Sequence, residues 1–149
     1  MLLNDVFEKQ LIQLNLEGRT KEAVFTELIE AIAEVHPEFD GDEMFAVIQD
    51  RENKLNTSVA PGVAVPHGYC PGTGDVIGAI GISRAGIDYG APDNKPVHFI
   101  FLIIMGEASR EKHLRILSRV LFLINSGALA DIEAAGSPQE VYDILSRIS

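Results

Sequence analysis

The chain has little cysteine, little positive charge and no long apolar run. Its single cysteine, Cys70, excludes an intramolecular disulfide and fits a reducing compartment. Only 12 Lys and Arg stand against 22 Asp and Glu, a formal charge of −10 and a pI near 4.7. That balance argues against nucleic acid, whose backbone is bound by clustered Lys and Arg, and leaves room for a basic protein partner. The densest apolar stretch, residues 97–105, is far short of the roughly 20 residues that span a bilayer. The opening segment MLLNDVFEKQ has no basic stretch followed by an apolar one, so no secretion signal is expected. A cytoplasmic protein without membrane insertion is the expectation. At 149 residues, 46% of them apolar, a single domain over 1–149 would bury its own core.

Several catalytic signatures are missing too. The four histidines, His36, His67, His98 and His113, form neither HExxH nor a Cys/His zinc spacing, so no metal is expected. There is no GxSxG elbow. The run from Gly72 to Gly78 has neither the GxGxxG spacing nor a Walker lysine, which leaves a nucleotide cofactor unsupported.

The apolar pattern that is present describes alternating helices and strands. Residues 10–16 alternate as a strand with Ile12, Leu14 and Leu16 on one face. Thr20 can cap a helix over 21–35 with a wide apolar stripe, stopped by Pro37. Asp40, with Glu43 three residues on, starts a second helix ending near Arg51, with Met44, Phe45, Val47 and Ile48 inward. Five of the seven prolines and eight of the thirteen glycines lie between Pro61 and Pro96, so loops and short strands alternate there. Strands are expected at 63–65 and 76–83, with Gly78 and Gly81 marking close packing or a bulge, and a turn at Asp93 and Asn94. The run VHFIFLIIM reads as a strand buried on both faces. Ser109 would cap the next helix, with Leu114, Leu117, Val120, Leu121 and Ile124 inward and a left-handed stop near Gly127. Ser137-Pro138-Gln139-Glu140 opens a last helix that buries Val141, Ile144, Leu145 and Ile148. Layered α/β architecture follows.

His67 has the most distinctive setting. It ends the short apolar segment Gly62-Val63-Ala64-Val65-Pro66-His67-Gly68, where Pro66 stiffens the backbone and Gly68 leaves one side bare. A neutral imidazole so presented is a competent nucleophile; a loop histidine bonded to a backbone carbonyl fits the same residues. His113, in the first turns of its helix, suits a neutral ring that donates one N–H, or a half-covered structural ring. Arg51, at a helix end, is favoured there by the helix dipole alone. His98 and His36 read as structural, and Cys70 as a bystander near His67.

Together these residues resemble the enzyme IIA domain of the phosphotransferase system, of the fructose, mannitol and nitrogen-regulatory type. The resemblance rests on Arg51-Glu52, on Asn56-Thr57, on Gly62-x-Ala64-x-Pro66-His67, on Pro96-Val97 opening an apolar strand, and on Lys112-His113-Leu114 with Leu117. Asn56 stands where the family often has serine. The resemblance implies one mixed β-sheet flanked by α-helices, with no cofactor. It makes His67 the acceptor of a phosphoryl group from the phosphohistidine of HPr, through Nε2, and places His113 and Arg51 beside it. Arg51 would spread phosphoryl charge through its fork of donors, and His113 would donate to a phosphoryl oxygen. Thr57 would either add a hydroxyl donor or brace the loop. The group would pass to the cysteine of an enzyme IIB, or the phosphorylation state would govern a transporter or kinase. The stretch Asp93-Asn94-Lys95-Pro96-Val97 resembles nitrogen-regulatory members and leans toward regulation. An interaction module that kept the fold and lost the chemistry is the competing function. The acidic surface would steer a basic face of the donor.

Overall fold

The computed structural model describes residues 2–107 and 110–148. The elements run α1 (Leu3–Val6), β1 (Phe7–Gln13), α2 (Lys21–Val35), α3 (Gly41–Lys54), β2 (Ser58–Ala60), β3 (Val63–Ala64), β4 (His67–Tyr69), β5 (Val76–Ile87), β6 (Val97–Met105), α4 (Arg110–Asn125), α5 (Ala128–Ala134) and α6 (Pro138–Ile148). They build one open, mixed, six-stranded sheet in the order β1-β5-β6-β3-β2, with β4 also paired to β6. β5 and β6 are antiparallel, whereas β1 lies parallel to β5, and β3 and β4 parallel to β6.

Strand β6 divides the core by its period of two. Phe99, Phe101, Ile103 and Met105 join a cluster with α1, α4, α5 and α6. Ile100, Leu102 and Ile104 join the other cluster, with α2 and α3. Burial on both faces explains the unbroken apolar run. Gly78 and Gly81 serve close packing, as expected. A Cβ on Gly78 would lie 2.5 Å from the Phe7 ring, and one on Gly81 would lie 2.6 Å from Leu16.

Caps fall where the sequence put them. Thr20 accepts from the Ala23 amide, Asp40 from the amides of Asp42 and Glu43, and Ser137 from that of Glu140. Gly127 is left-handed at φ 87°. Ser109 lies outside the described residues.

Other boundaries moved. β1 begins at Phe7 rather than residue 10, because Phe7 fits into the space over Gly78; Leu14 is only half-buried and Leu16 lies beyond the strand. α3 continues past Arg51 to Lys54, and of its four inward candidates only Met44 and Ile48 are fully buried. α1, α5, β2 and β4 are additional elements. The largest correction concerns α4, which buries Ile116, Val120, Leu123 and Ile124 and leaves Leu114 and Leu121 56% and 42% exposed. Val120 and Ile124 are buried as expected and Leu117 is half-buried, but Ile116 and Leu123 fill the core in place of Leu114 and Leu121.

Candidate active site

Strands β3 and β4 follow one another along the same edge of β6, separated by Val65 and Pro66. Pro66 has no N–H and interrupts the ladder. Its carbonyl still accepts from the Ile103 amide at 2.9 Å, and the Val65 amide is held at 3.0 Å by the carbonyl of Thr57. The ladder resumes with His67 opposite Ile103, so His67 faces the α4 side of the sheet, and Tyr69, two residues on, shares that face. Gly68 faces the other way. A Cβ there would meet the Val47 carbonyl oxygen at 3.0 Å, so its missing side chain lets α3 close onto β4. That is the reason for the glycine, rather than an open approach to the ring.

The ring of His67 is half-buried. Its Nδ1 lies 2.8 Å from the Val65 carbonyl oxygen. A carbonyl only accepts, so Nδ1 carries the proton and Nε2 keeps its lone pair in the neutral ring. Burial lowers the pKa of His67 below the usual 6.5; the bond to Val65 opposes that, the Arg51 charge adds to it and the Glu52 charge opposes it. The ring is therefore neutral at physiological pH.

Two cavities flank this ring, and Arg51 and His67 line both. One, of about 200 Å³, is completed by Leu55, Val59, Leu117 and Leu121 among others. The other, of about 340 Å³, is bordered by Asp50, Lys54, Tyr69 and Met105 among others. Arg51 sits in the last turn of α3, where Nη1 donates to the Leu55 carbonyl at 3.0 Å. That bond fixes one edge of the guanidinium beside His67.

His113, on α4, lies against Tyr69, which borders the larger cavity, and lines neither cavity itself. Its ring centroid lies 6.2 Å from that of Tyr69, and positions 113, 117 and 121 share a helix face whose later members wall the smaller cavity. Burial lowers its pKa too, so this ring is also neutral at physiological pH. Its Nε2 is enclosed and has no hydrogen-bond partner among the described residues. Enclosed polar atoms are rarely left so.

Thr57 takes the bracing alternative. It is buried, and its hydroxyl lies 2.5 Å from Glu52 Oε1 and 2.8 Å from the Tyr89 hydroxyl, while its amide donates to Glu52 Oε2 at 2.8 Å. Asn56 braces the same turn through the carbonyls of Tyr89 and Gly90 and the amide of Ser58. Tyr89 also donates to Glu52 Oε1, and Lys21 Nζ stands 3.4 Å from Oε2. Sequence reasoning missed Tyr89 and Lys21 here. The only signal was Glu52 itself, an acidic residue at an inward position of an apolar helix face.

Cys70 is buried, and burial raises its pKa, as do Glu43 and Asp40 nearby. It is an inert thiol. His36 bonds Glu8 and stacks on Phe39, and His98 bonds the Ser83 carbonyl, both structural. No group of three His, Cys, Asp or Glu among the described residues is arranged to hold a metal ion. No helix among them is long and apolar enough to cross a membrane.

The family described as phosphoenolpyruvate-dependent sugar phosphotransferase system, EIIA 2, matches residues 5–148. The chain belongs to this family. A fructose-specific EIIABC component of the phosphotransferase system from Bacillus subtilis is 28% identical over 99% of the chain, which spans only 23% of that longer protein. A nitrogen regulatory protein from Pseudomonas aeruginosa is 28% identical over 89% of this chain and 86% of its own. The crystal structure of the nitrogen regulatory protein IIA-Ntr from Neisseria meningitidis superposes with a TM-score of 0.87 at 27% identity, over 96% of this chain and 98% of that one. As an EIIA-type chain, the protein belongs among phosphoryl-transfer components, and its mixed sheet is that of its structural neighbours.

Proposed function

We propose that the chain is a phosphocarrier whose His67 Nε2 accepts a phosphoryl group from the phosphohistidine of HPr. The observation that carries this reading is the bond from Nδ1 to the Val65 carbonyl, which leaves Nε2 as the free nucleophile of a neutral ring. The Nε2 lone pair forms the new N–P bond while the donor imidazole leaves with the old bonding pair. His67 then carries added positive charge, and its Nδ1–H bond to Val65 strengthens as that charge develops. Transfer of this kind asks for positioning and charge stabilisation rather than covalent work by the protein. Arg51 supplies the fork of donors and the charge. His113 supplies one more bond to a phosphoryl oxygen once its ring turns to bring an N–H out of the enclosure that holds Nε2. No cofactor takes part.

Around the ring stand Leu55, Val59, Tyr69 and Leu121, all exposed. These side chains suit a protein donor that buries an apolar collar about the reacting atoms. The walls of the two cavities are not themselves net acidic. Residues 21–49 carry eight Asp and Glu against Lys21, whereas the cavity walls carry Arg51 and Lys54 with Asp50. Positive charge at the site itself suits an incoming phosphoryl group.

For the onward step we favour regulation, in which phosphorylation state governs binding to a transporter or kinase, over transfer to an enzyme IIB cysteine. The likeness to nitrogen regulatory proteins supports that choice. A structural neighbour of the other type, the mannitol enzyme IIA of Escherichia coli at 17% identity, is known in complex with phosphorylated enzyme IIB. A cytoplasmic location fits either destination.

The test is intact mass after incubation with phosphoenolpyruvate, enzyme I and HPr. One acid-labile phosphate per chain is expected. A folded wild-type chain that takes up none would instead be an interaction module.

A further inference from the structure

We propose that Glu52 is a positioning residue for the acceptor, fixing the tautomer and direction of the His67 ring through a relay of three hydrogen bonds that runs by way of Thr57 and Val65. The kinetic consequence rests on the reading of His67 as phosphoryl acceptor; the geometric part does not.

Glu52 follows Arg51 on α3, so one helical step of about 100° turns Arg51 toward the cavities and Glu52 into the protein. Its side chain is 1% exposed. Burying a carboxylate is costly, and an apolar residue of the same size is often no worse for stability. Here both oxygens are used. Oε2 takes the Thr57 amide and stands by Lys21, and Oε1 takes the hydroxyls of Thr57 and Tyr89. Lys21 also lies 4.6 Å over the Tyr89 ring.

The anchored residue, Thr57, leads directly to the acceptor. The Thr57 carbonyl accepts the Val65 amide at 3.0 Å, and the Val65 carbonyl accepts His67 Nδ1–H at 2.8 Å. Val65 needs this support because its neighbour is Pro66, which has no amide to give the sheet. Glu52 therefore holds Thr57, Thr57 holds Val65, and Val65 decides which nitrogen of His67 is bare. The same helix turn sets both the phosphoryl-facing cation and the orientation of the nucleophile.

The experiment reads the ring itself, by ¹⁵N NMR of His67 in the unphosphorylated full-length chain above pH 7, beside phosphoryl uptake. Wild type is expected to show one protonated nitrogen, Nδ1, and one bare nitrogen, Nε2. In Glu52→Gln the two shifts converge toward a mixture of tautomers, and uptake slows by about ten- to a hundredfold, the scale of a small misplacement, with KM for the donor little changed. Tyr89→Phe, which leaves both Thr57 bonds in place, keeps the wild-type ring signals. If Glu52→Gln does not fold, Glu52→Asp keeps the charge, withdraws the oxygens and is expected to give the same convergence. Wild-type ring shifts in a folded Glu52 variant overturn the proposal, as does a Tyr89→Phe ring disturbed as much as that of Glu52→Gln. Converged shifts with unchanged uptake support the relay and contradict the acceptor reading beneath it.

Discussion

Replacing His67 by alanine takes phosphoryl uptake from one group per chain to none, while the chain still folds. Loss is complete because the variant lacks the atom that forms the N–P bond. The other histidines offer no substitute: His36 and His98 are engaged in structural bonds, and Nε2 of His113 is enclosed. The fold survives because His67 is half-buried at the sheet edge, and the variant gives up one hydrogen bond to Val65, worth about 1 kcal/mol. Thermal melts beside intact mass separate the two effects.

The same variant has a second signature, in pH. Burial leads the causes that depress the folded-state pKa of His67 below 6.5. The unfolded chain therefore takes up its proton first as pH falls. Stability drops from about pH 6.5 downward through the depressed folded value, since stability rises with pH wherever the unfolded state binds more protons. His67→Ala removes this contribution and flattens the acid side of the curve. Part of the slope persists, because His113 is depressed by burial as well. An unaltered pH–stability curve would mean that the ring is not desolvated as described.

Arg51→Ala is the second large effect, a slowing of phosphoryl transfer by about 10²- to 10³-fold at nearly unchanged stability, the scale of a lost preorganised donor set. Arg51 adjoins both cavities beside the acceptor, and its bond to the Leu55 carbonyl holds it there at the end of α3. Its charge serves the helix end too, so the variant also loses about 0.3–1 kcal/mol of that local stabilisation. Arg51→Lys restores the charge but not the planar fork, and recovers only part of the rate. Rapid-quench measurement of transfer from phospho-HPr checks the series. Equal rates in all three proteins would remove Arg51 from the site.

Much of this arrangement was legible in the sequence because its signals are local. Caps at Thr20, Asp40 and Ser137 depend on residues three apart, and the buried strand Val97–Met105 depends on its own composition. His67 stood out through Pro66 and Gly68, and the pattern shared with enzyme IIA domains added Arg51 and His113. What remained hidden is long-range. The displaced start of β1 depends on Phe7 meeting Gly78, far along the chain. On α4 two apolar stripes compete, and only the packed fold shows that Ile116 and Leu123 join Val120 in the core while Leu114 and Leu121 stay exposed, Leu121 on the wall of the site. Likewise, Gly68 has its purpose in the backbone of Val47, and the partners of Glu52 come from three separate segments.

The most direct measurement is the location of the phosphate. Heteronuclear NMR of the chain, phosphorylated through enzyme I and HPr, is expected to show phosphorus–nitrogen coupling at Nε2 of His67, with Nδ1 still protonated and bonded. Phosphate on Nδ1, or on any other side chain, would contradict the account.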